Sequence, residues 1–176
     1  MRSVVRGIVM SLILVAAGGV LGQLRLVPQR GARVRLINGR HSAVVDLDDA
    51  LLSTTGTMPG DPPHRFRVLF TAQKDGFLYL VANVQSHSPI SDPRAPCGGD
   101  APRGILWIRT DPGLAKREFQ SEIYESCSYN YYDSKVKVTK TGLTINYGSA
   151  REQNALFYDN STPELGLLVS KKPVKN

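Results

Sequence analysis

The run Phe77-Leu78-Tyr79-Leu80-Val81-Ala82-Asn83-Val84 decides the fold. Side chains alternate between the two faces of a strand, so a strand with one solvated face alternates apolar and polar residues. This run stays apolar on both faces until Asn83. It therefore reads as a central strand covered from both sides.

The flanking segments extend that sheet. Upstream, Phe66, Val68, Phe70 and Ala72 alternate against Arg65, Arg67, Leu69 and Thr71, the period-2 pattern of a half-buried strand. Lys74-Asp75-Gly76 separates the two runs as a turn and makes them a hairpin. Downstream, Ile105-Leu106-Trp107-Ile108 is a strand ended by Asp111-Pro112-Gly113. Residues 117–127 form a longer one, with Phe119 and Ile123 on one face and Glu118, Gln120, Glu122 and Tyr124 on the other. Residues 135–139 and 143–147 flank a turn containing Gly142, the clearest hairpin signal in the chain. Residues 155–158 and 165–169 are two shorter candidates, and residues 171–176 read as a frayed tail. About seven short strands without a strong helical stripe predict an all-β chain. The expectation is a single antiparallel β-sandwich or barrel-like domain over residues 65–170, placed after an N-terminal signal peptide.

The N-terminal third differs. Residues 1–22 carry Arg2 and Arg6, then an apolar run over 8–17, then Gly18, Gly19 and Gly22. That is a positive region, a short apolar region and a small-residue exit, the layout of a cleavable secretory leader. The apolar stretch is shorter than the roughly 20 residues a membrane-spanning helix needs. The alternative is an uncleaved anchor, which Arg25 interrupts. Residues 23–64 are turn-rich, with one or two short strands expected; Arg33-Val34-Arg35-Leu36-Ile37 is one. Residues 42–52 fit a helix or a strand, and residues 53–63 read as a linker.

A leader implies a secreted or periplasmic location, and that compartment gives the two cysteines meaning. In an oxidising space, Cys97 and Cys127 are expected to pair as a structural disulfide. A bridge closing a loop of this length contributes about 3–4 kcal/mol on the chain-entropy model. Zinc needs four ligands at close spacing, and His41, His64 and His87 are far apart, so neither a metal nor any other cofactor is indicated. Asp46-Leu47-Asp48-Asp49 lacks the glycine and glutamate of a calcium loop, because Leu51 and Thr57 occupy those positions.

The formal net charge of +7 is spread along the chain. It suits partners such as an anionic glycan, a lipid head group or an envelope protein. Export disfavours nucleic acid, and a membrane enters only if the leader stays uncleaved.

The longest interruption of the β pattern runs over residues 86–100 and ends in Cys97-Gly98-Gly99-Asp100. A long polar loop in a compact domain is a place to look for function. His87, Asp92, Arg94 and Asp100 are its candidate binding residues, and a bridge to Cys127 would pin them and lower the entropy lost on binding. Around Cys127 cluster Tyr124, Tyr129, Tyr131 and Tyr132. Tyrosine joins an apolar ring to a polar tip, so Tyr129, Tyr131 and Tyr132 are candidate contacts beside Lys135 and Lys137. Ser86, Ser88, His87 and Asp92 are triad residue types, but no nucleophile-elbow motif accompanies them and no catalytic residue is assigned. The expectation is a non-enzymatic binding or interaction module. The alternatives are a small secreted hydrolase, marked by a His–carboxylate pocket, and a structural envelope subunit, marked by a large exposed apolar patch.

Overall fold

The computed structural model describes residues 24–30, 33–47, 65–86, 102–127 and 130–174. The leader, the linker, Asp48 and Asp49, the His87 to Asp100 loop with Cys97, and Tyr129 lie outside the described residues.

Eleven strands occur among the described residues: β1 (Arg25–Pro28), β2 (Arg33–Asn38), β3 (His41–Asp46), β4 (Arg65–Lys74), β5 (Phe77–Gln85), β6 (Arg103–Thr110), β7 (Arg117–Glu125), β8 (Tyr132–Val138), β9 (Gly142–Gly148), β10 (Glu152–Asp159) and β11 (Leu168–Pro173). They form three antiparallel sheets, ordered β1-β2-β3, β4-β5-β6-β7 and β11-β10-β9-β8. The all-β expectation holds at this level.

The apolar run that decides the fold is β5, and its two faces feed two separate cores. Leu78, Leu80, Ala82 and Val84 join Leu106, Ile108 and Ile123 of the same sheet, and pack against Val34, Leu36 and Val45 of the N-terminal sheet and the flanking Leu24 and Leu47. Tyr79 and Val81 face the other way. With Phe70, Ile105, Trp107 and Tyr124 they pack against Leu143, Ile145, Tyr147, Leu156 and Tyr158 of the C-terminal sheet. The β4–β7 sheet is thus the middle of three layers, and both Leu80 and Val81 have 0% exposure. Trp107 is locked from the same side: its indole Nε1–H donates to the Pro163 carbonyl at 3.0 Å, and its ring lies 6.1 Å from that of Tyr79.

Several expectations need correction. The N-terminal segment contributes three strands, and the ambiguous stretch from Ser42 is β3, held to β2 through Asn38↔His41 to Arg33↔Asp46. The simple alternation of β4 breaks at a bulge between Val68 and Phe70. Phe66 therefore serves the first core and Phe70 the second. Lys171, Lys172 and Pro173 are not a frayed tail, because they pair with Asn154, Gln153 and Glu152 as the end of β11. Lysines and a proline on an edge strand discourage pairing with another chain, and that role gave them a tail-like composition.

Strand direction gives the stacked sheets two distinct ends. At one end lie the β4–β5 turn, the β6–β7 turn and the segment joining β10 to β11. Asp75 and Gly76 take φ values of 49° and 78° in the first of these, as a two-residue hairpin turn requires. Three carboxylates here are committed to local structure. Asp111 accepts from the Lys116 backbone N–H at 2.5 Å, which holds its carboxyl below the usual range. Asp159 accepts from the Ser161 N–H and hydroxyl, with the same result. Glu164 is lowered by Lys74, whose Nζ lies 2.5 Å away. A carboxyl depressed in the folded state stabilises it above the unfolded pKa, and that stability is lost as pH falls through the folded value. Acid is therefore expected to loosen this end first, below the ordinary values of 3.8 for Asp and 4.5 for Glu. Amide exchange at Leu114, Lys116 and Ser161 should accelerate there before exchange at Tyr131 or Tyr147; simultaneous acceleration would contradict it.

Candidate functional site

The opposite end is where the two cores turn polar. It collects the start of β4, the end of β5, the start of β6, the end of β7, the start of β8, the β9–β10 turn and the end of β11. Alternation places Arg65, Arg67, Asn83, Gln85 and Arg103 on the face of the middle sheet that carries Val81 and Ile105 further in. Cross-strand pairing aligns Arg65 with Gln85 and Gln85 with Arg103.

These residues, with Pro28, Phe66 and Tyr124, line a recess of about 570 Å³. Tyr124 is almost fully buried, and Asn83 donates to its hydroxyl at 2.6 Å. Burial pushes the phenol above its ordinary range, although the Asn83 bond opposes that. Arg103 lies 3.5 Å from Glu125, and Ser134 donates to the same carboxylate at 2.8 Å. Among the described residues no carboxylate pairs with Arg65 or Arg67. Three guanidinium groups with one carboxylate counter-charge, beside two side-chain amides, make a recess suited to an anion.

Next to it, a polar cluster ties the middle sheet to the C-terminal one. Glu122 is only 5% exposed. It accepts from the Tyr147 hydroxyl at 2.5 Å and lies 3.6 Å from Lys171 Nζ. Burial and the Glu122 carboxylate together hold Tyr147 far above the ordinary phenol range. Tyr131 packs edge-on against Tyr147, with ring centroids 5.2 Å apart. Burial first, and then Glu152, raise its phenol as well. Glu122 lines neither recess at this end, so its role is to clamp β7 to β9 and β11. A hydrogen bond to a charged group of this kind contributes about 1.5–3 kcal/mol.

A second recess, of about 550 Å³, opens between β8, β9 and β10. Its wall includes Tyr132, Asp133, Lys135, Asn146, Gln153 and Asn154. A bulge between Tyr132 and Lys135 shapes one side, with Asp133 at φ 57°. Such bulges re-aim side chains. Gly148 sits where a Cβ would come within 2.2 Å of the Glu152 carbonyl, so no larger residue fits that side. Asn154 is 4% exposed, and neither its Nδ2 nor its Oδ1 has a hydrogen-bond partner among the described residues. An unsatisfied buried polar group costs about 1–3 kcal/mol.

Of the sequence candidates, the structure places Tyr131 and Tyr132 at this end. Tyr131 is half-buried in the core and Tyr132 is 53% exposed. His87, Asp92, Arg94, Asp100 and Tyr129 lie outside the described residues. The loop that carries the first four leaves β5 at Ser86 and re-enters at Pro102, whose carbonyl accepts from the Ser86 N–H at 2.9 Å, so it springs from this same end. Cys127 is also here, and among the described residues no cysteine is free. Sequence reasoning missed Arg65, Arg67, Asn83, Gln85, Arg103 and Asn154. The available signal was spacing: Arg65 and Arg67, like Asn83 and Gln85, are two residues apart and share a strand face. Among the described residues no three His, Cys, Asp or Glu side chains gather as a metal site.

Comparison with protein-family models, with curated proteins and with solved structures gave no match.

Proposed function

We propose that this chain is an exported, non-enzymatic binding module that captures an anionic group at the polar end of its middle sheet. The observation that carries this is the arginine recess, in which Arg65, Arg67 and Arg103 converge beside Asn83 and Gln85. A volume of about 570 Å³ is within the range of ligand sites. The ligand class is a phosphate, sulfate or carboxylate carried on an anionic glycan or a lipid head group. Export rests on the leader, and N-terminal sequencing of the exported chain tests it: a chain beginning at Met1 would contradict cleavage. The Cys97–Cys127 bridge is part of the same proposal, since it would fasten the His87 loop beside the recess. Two titratable thiols in the denatured, unreduced chain would refute it.

Calorimetric titration with inorganic phosphate tests the recess, with phosphatidylglycerol and phosphatidylcholine vesicles as further arms. Binding is expected to weaken as salt rises. The double variant Arg65→Ser/Arg67→Ser should lose at least about tenfold in affinity, the scale of one charge-assisted hydrogen bond. Both positions are exposed, so the variant should keep its thermal midpoint. Unchanged affinity would overturn the assignment. Binding to the anionic vesicles alone would identify the lipid as the source.

A further inference from the structure

Register sets the outer face of the C-terminal sheet. Along β9 and β10, Leu143, Ile145, Tyr147, Leu156 and Tyr158 turn to the core, and the residues between them turn outward. Pairing arranges the outward positions as three rows across the four strands: Lys137 to Leu168, Lys135 to Ser170, and Tyr132 to Lys172. At about 4.8 Å between strands and about 3.4 Å per residue, these rows cover a square of about 14 Å a side. Its corners, taken in order, are Lys137, Leu168, Lys172 and Tyr132, so cationic and apolar corners alternate. Lys135 lies along one side, and Phe157 pairs with Leu168 along another. No outward position in these rows carries a carboxylate. At the margins, Asp133 sits in the β8 bulge and the Asp159 carboxylate is held by Ser161. Among the described residues no carboxylate pairs with Lys135, Lys137 or Lys172.

Protection of open sheet edges accounts for lysines on β8 and β11. It does not account for Phe157, which stands on the inner strand β10 and is 45% exposed beside Leu168 at 47%. A solvated sheet face places polar residues outward, and here the outward pair is apolar.

We infer that this face docks on an anionic lipid bilayer, with Lys135, Lys137 and Lys172 over the head groups and Phe157, Leu168 and Tyr132 entering the interface. Uncompensated positive charge calls for an anionic partner, and exposed apolar side chains call for an apolar one; an anionic bilayer offers both. A tyrosine at such a boundary keeps its hydroxyl among the head groups while its ring enters. The placement of the charges separates a bilayer from a single anionic polymer. A polymer lies along one line, and the line joining Lys137 to Lys172 passes between Tyr132 and Leu168 without meeting either. An extended surface meets all four corners together. The long lysine stems span the relief that sheet twist introduces, and Gly148, Ala155 and Ser170 between the corners are too small to hold that surface away. The face shares no residue with the arginine recess, and either can fail alone.

The test is cosedimentation of the mature chain, without its apolar leader, with mixed phosphatidylglycerol–phosphatidylcholine vesicles and with phosphatidylcholine vesicles. Binding to the mixed vesicles only is expected. Lys135→Ser/Lys137→Ser/Lys172→Ser should weaken it on the order of a hundredfold, at about fivefold per lysine. Phe157→Ser/Leu168→Ser should weaken it at least about tenfold and leave binding of inorganic phosphate unchanged. All five positions are exposed, so both variants should keep their thermal midpoint. Added to Arg65→Ser/Arg67→Ser, each should weaken vesicle binding by the same factor as alone, which separates this face from the recess. Absence of binding to the mixed vesicles, or binding that survives both variants, overturns the docking face. Loss with the lysine variant but not with Phe157→Ser/Leu168→Ser would assign the face to a soluble polyanion and overturn the bilayer. Phosphate binding that persists in either case leaves the arginine recess standing.

Discussion

Leu80→Asp and Val81→Asp, made one at a time, should each abolish folding. These adjacent residues of β5 point to opposite faces and both have 0% exposure. Leu80 lies in the core shared with the N-terminal sheet, and Val81 in the core shared with the C-terminal sheet. Burying a carboxylate in either core costs several kcal/mol even after relaxation, against a total stability of about 5–15 kcal/mol for an ordinary domain. A two-layer sandwich would tolerate one of the two, because one face of β5 would meet solvent. Circular dichroism of the purified chains is sufficient to decide. A cooperative thermal transition in either variant would contradict a middle sheet covered on both sides.

Trp107→Ala should cost about 3–5 kcal/mol, the range for emptying a buried aromatic position. Three contributions add in the same direction. The Tyr79 ring loses its neighbour, the core facing β9 and β10 gains a cavity, and the Pro163 carbonyl loses its N–H donor. Trp107→Phe separates them, because it keeps an aromatic ring beside Tyr79 and removes only the N–H and part of the volume. Its expected cost is about 1–3 kcal/mol. Trp107 is the one tryptophan of the chain, so denaturant curves must be followed by circular dichroism and not by indole fluorescence. A loss below about 1 kcal/mol for the alanine variant would contradict the locked position of Trp107.

The middle sheet was legible because β5 carries its own evidence. An apolar residue at each successive position from Phe77 to Ala82 requires cover on both faces, whatever supplies it. The identity of the second cover was not legible. Val34 and Leu36 alternate with Arg33 and Arg35, which marks one good strand. The β3 partner was obscured because Val44, Leu47, Leu51 and Leu52 also satisfy a helical spacing. The β4 bulge left no mark, since Leu69 is as apolar as the residues on either side of it. The end of β11 was misread because Lys171-Lys172-Pro173 has the composition of a tail, and only the pairing with Glu152, Gln153 and Asn154 reveals a strand.

The candidate site was legible in location more than in chemistry. Tyr132 and the neighbourhood of Cys127 lie at the same end of the molecule as the arginine recess. Arg65 and Arg67 were read as the solvated face of a strand, which is the usual fate of such residues. What sets them apart is the alignment of Arg65 through Gln85 with Arg103 across three strands. Register across a sheet depends on turns and bulges, and a single sequence does not display it. Glu122, Tyr147 and Lys171 converge from three different strands for the same reason.

The proposed function confines binding to the polar end of the stacked sheets. Backbone amide shifts of the labelled mature chain, recorded during titration with inorganic phosphate, test it most directly. Shifts should concentrate at Arg65, Arg67, Gln85, Arg103 and Glu125. Lys74, Thr110, Arg117 and Val138, at the other end of β4, β6, β7 and β8, should stay unmoved. Shifts centred on those four residues, or spread evenly over both ends, would contradict the account.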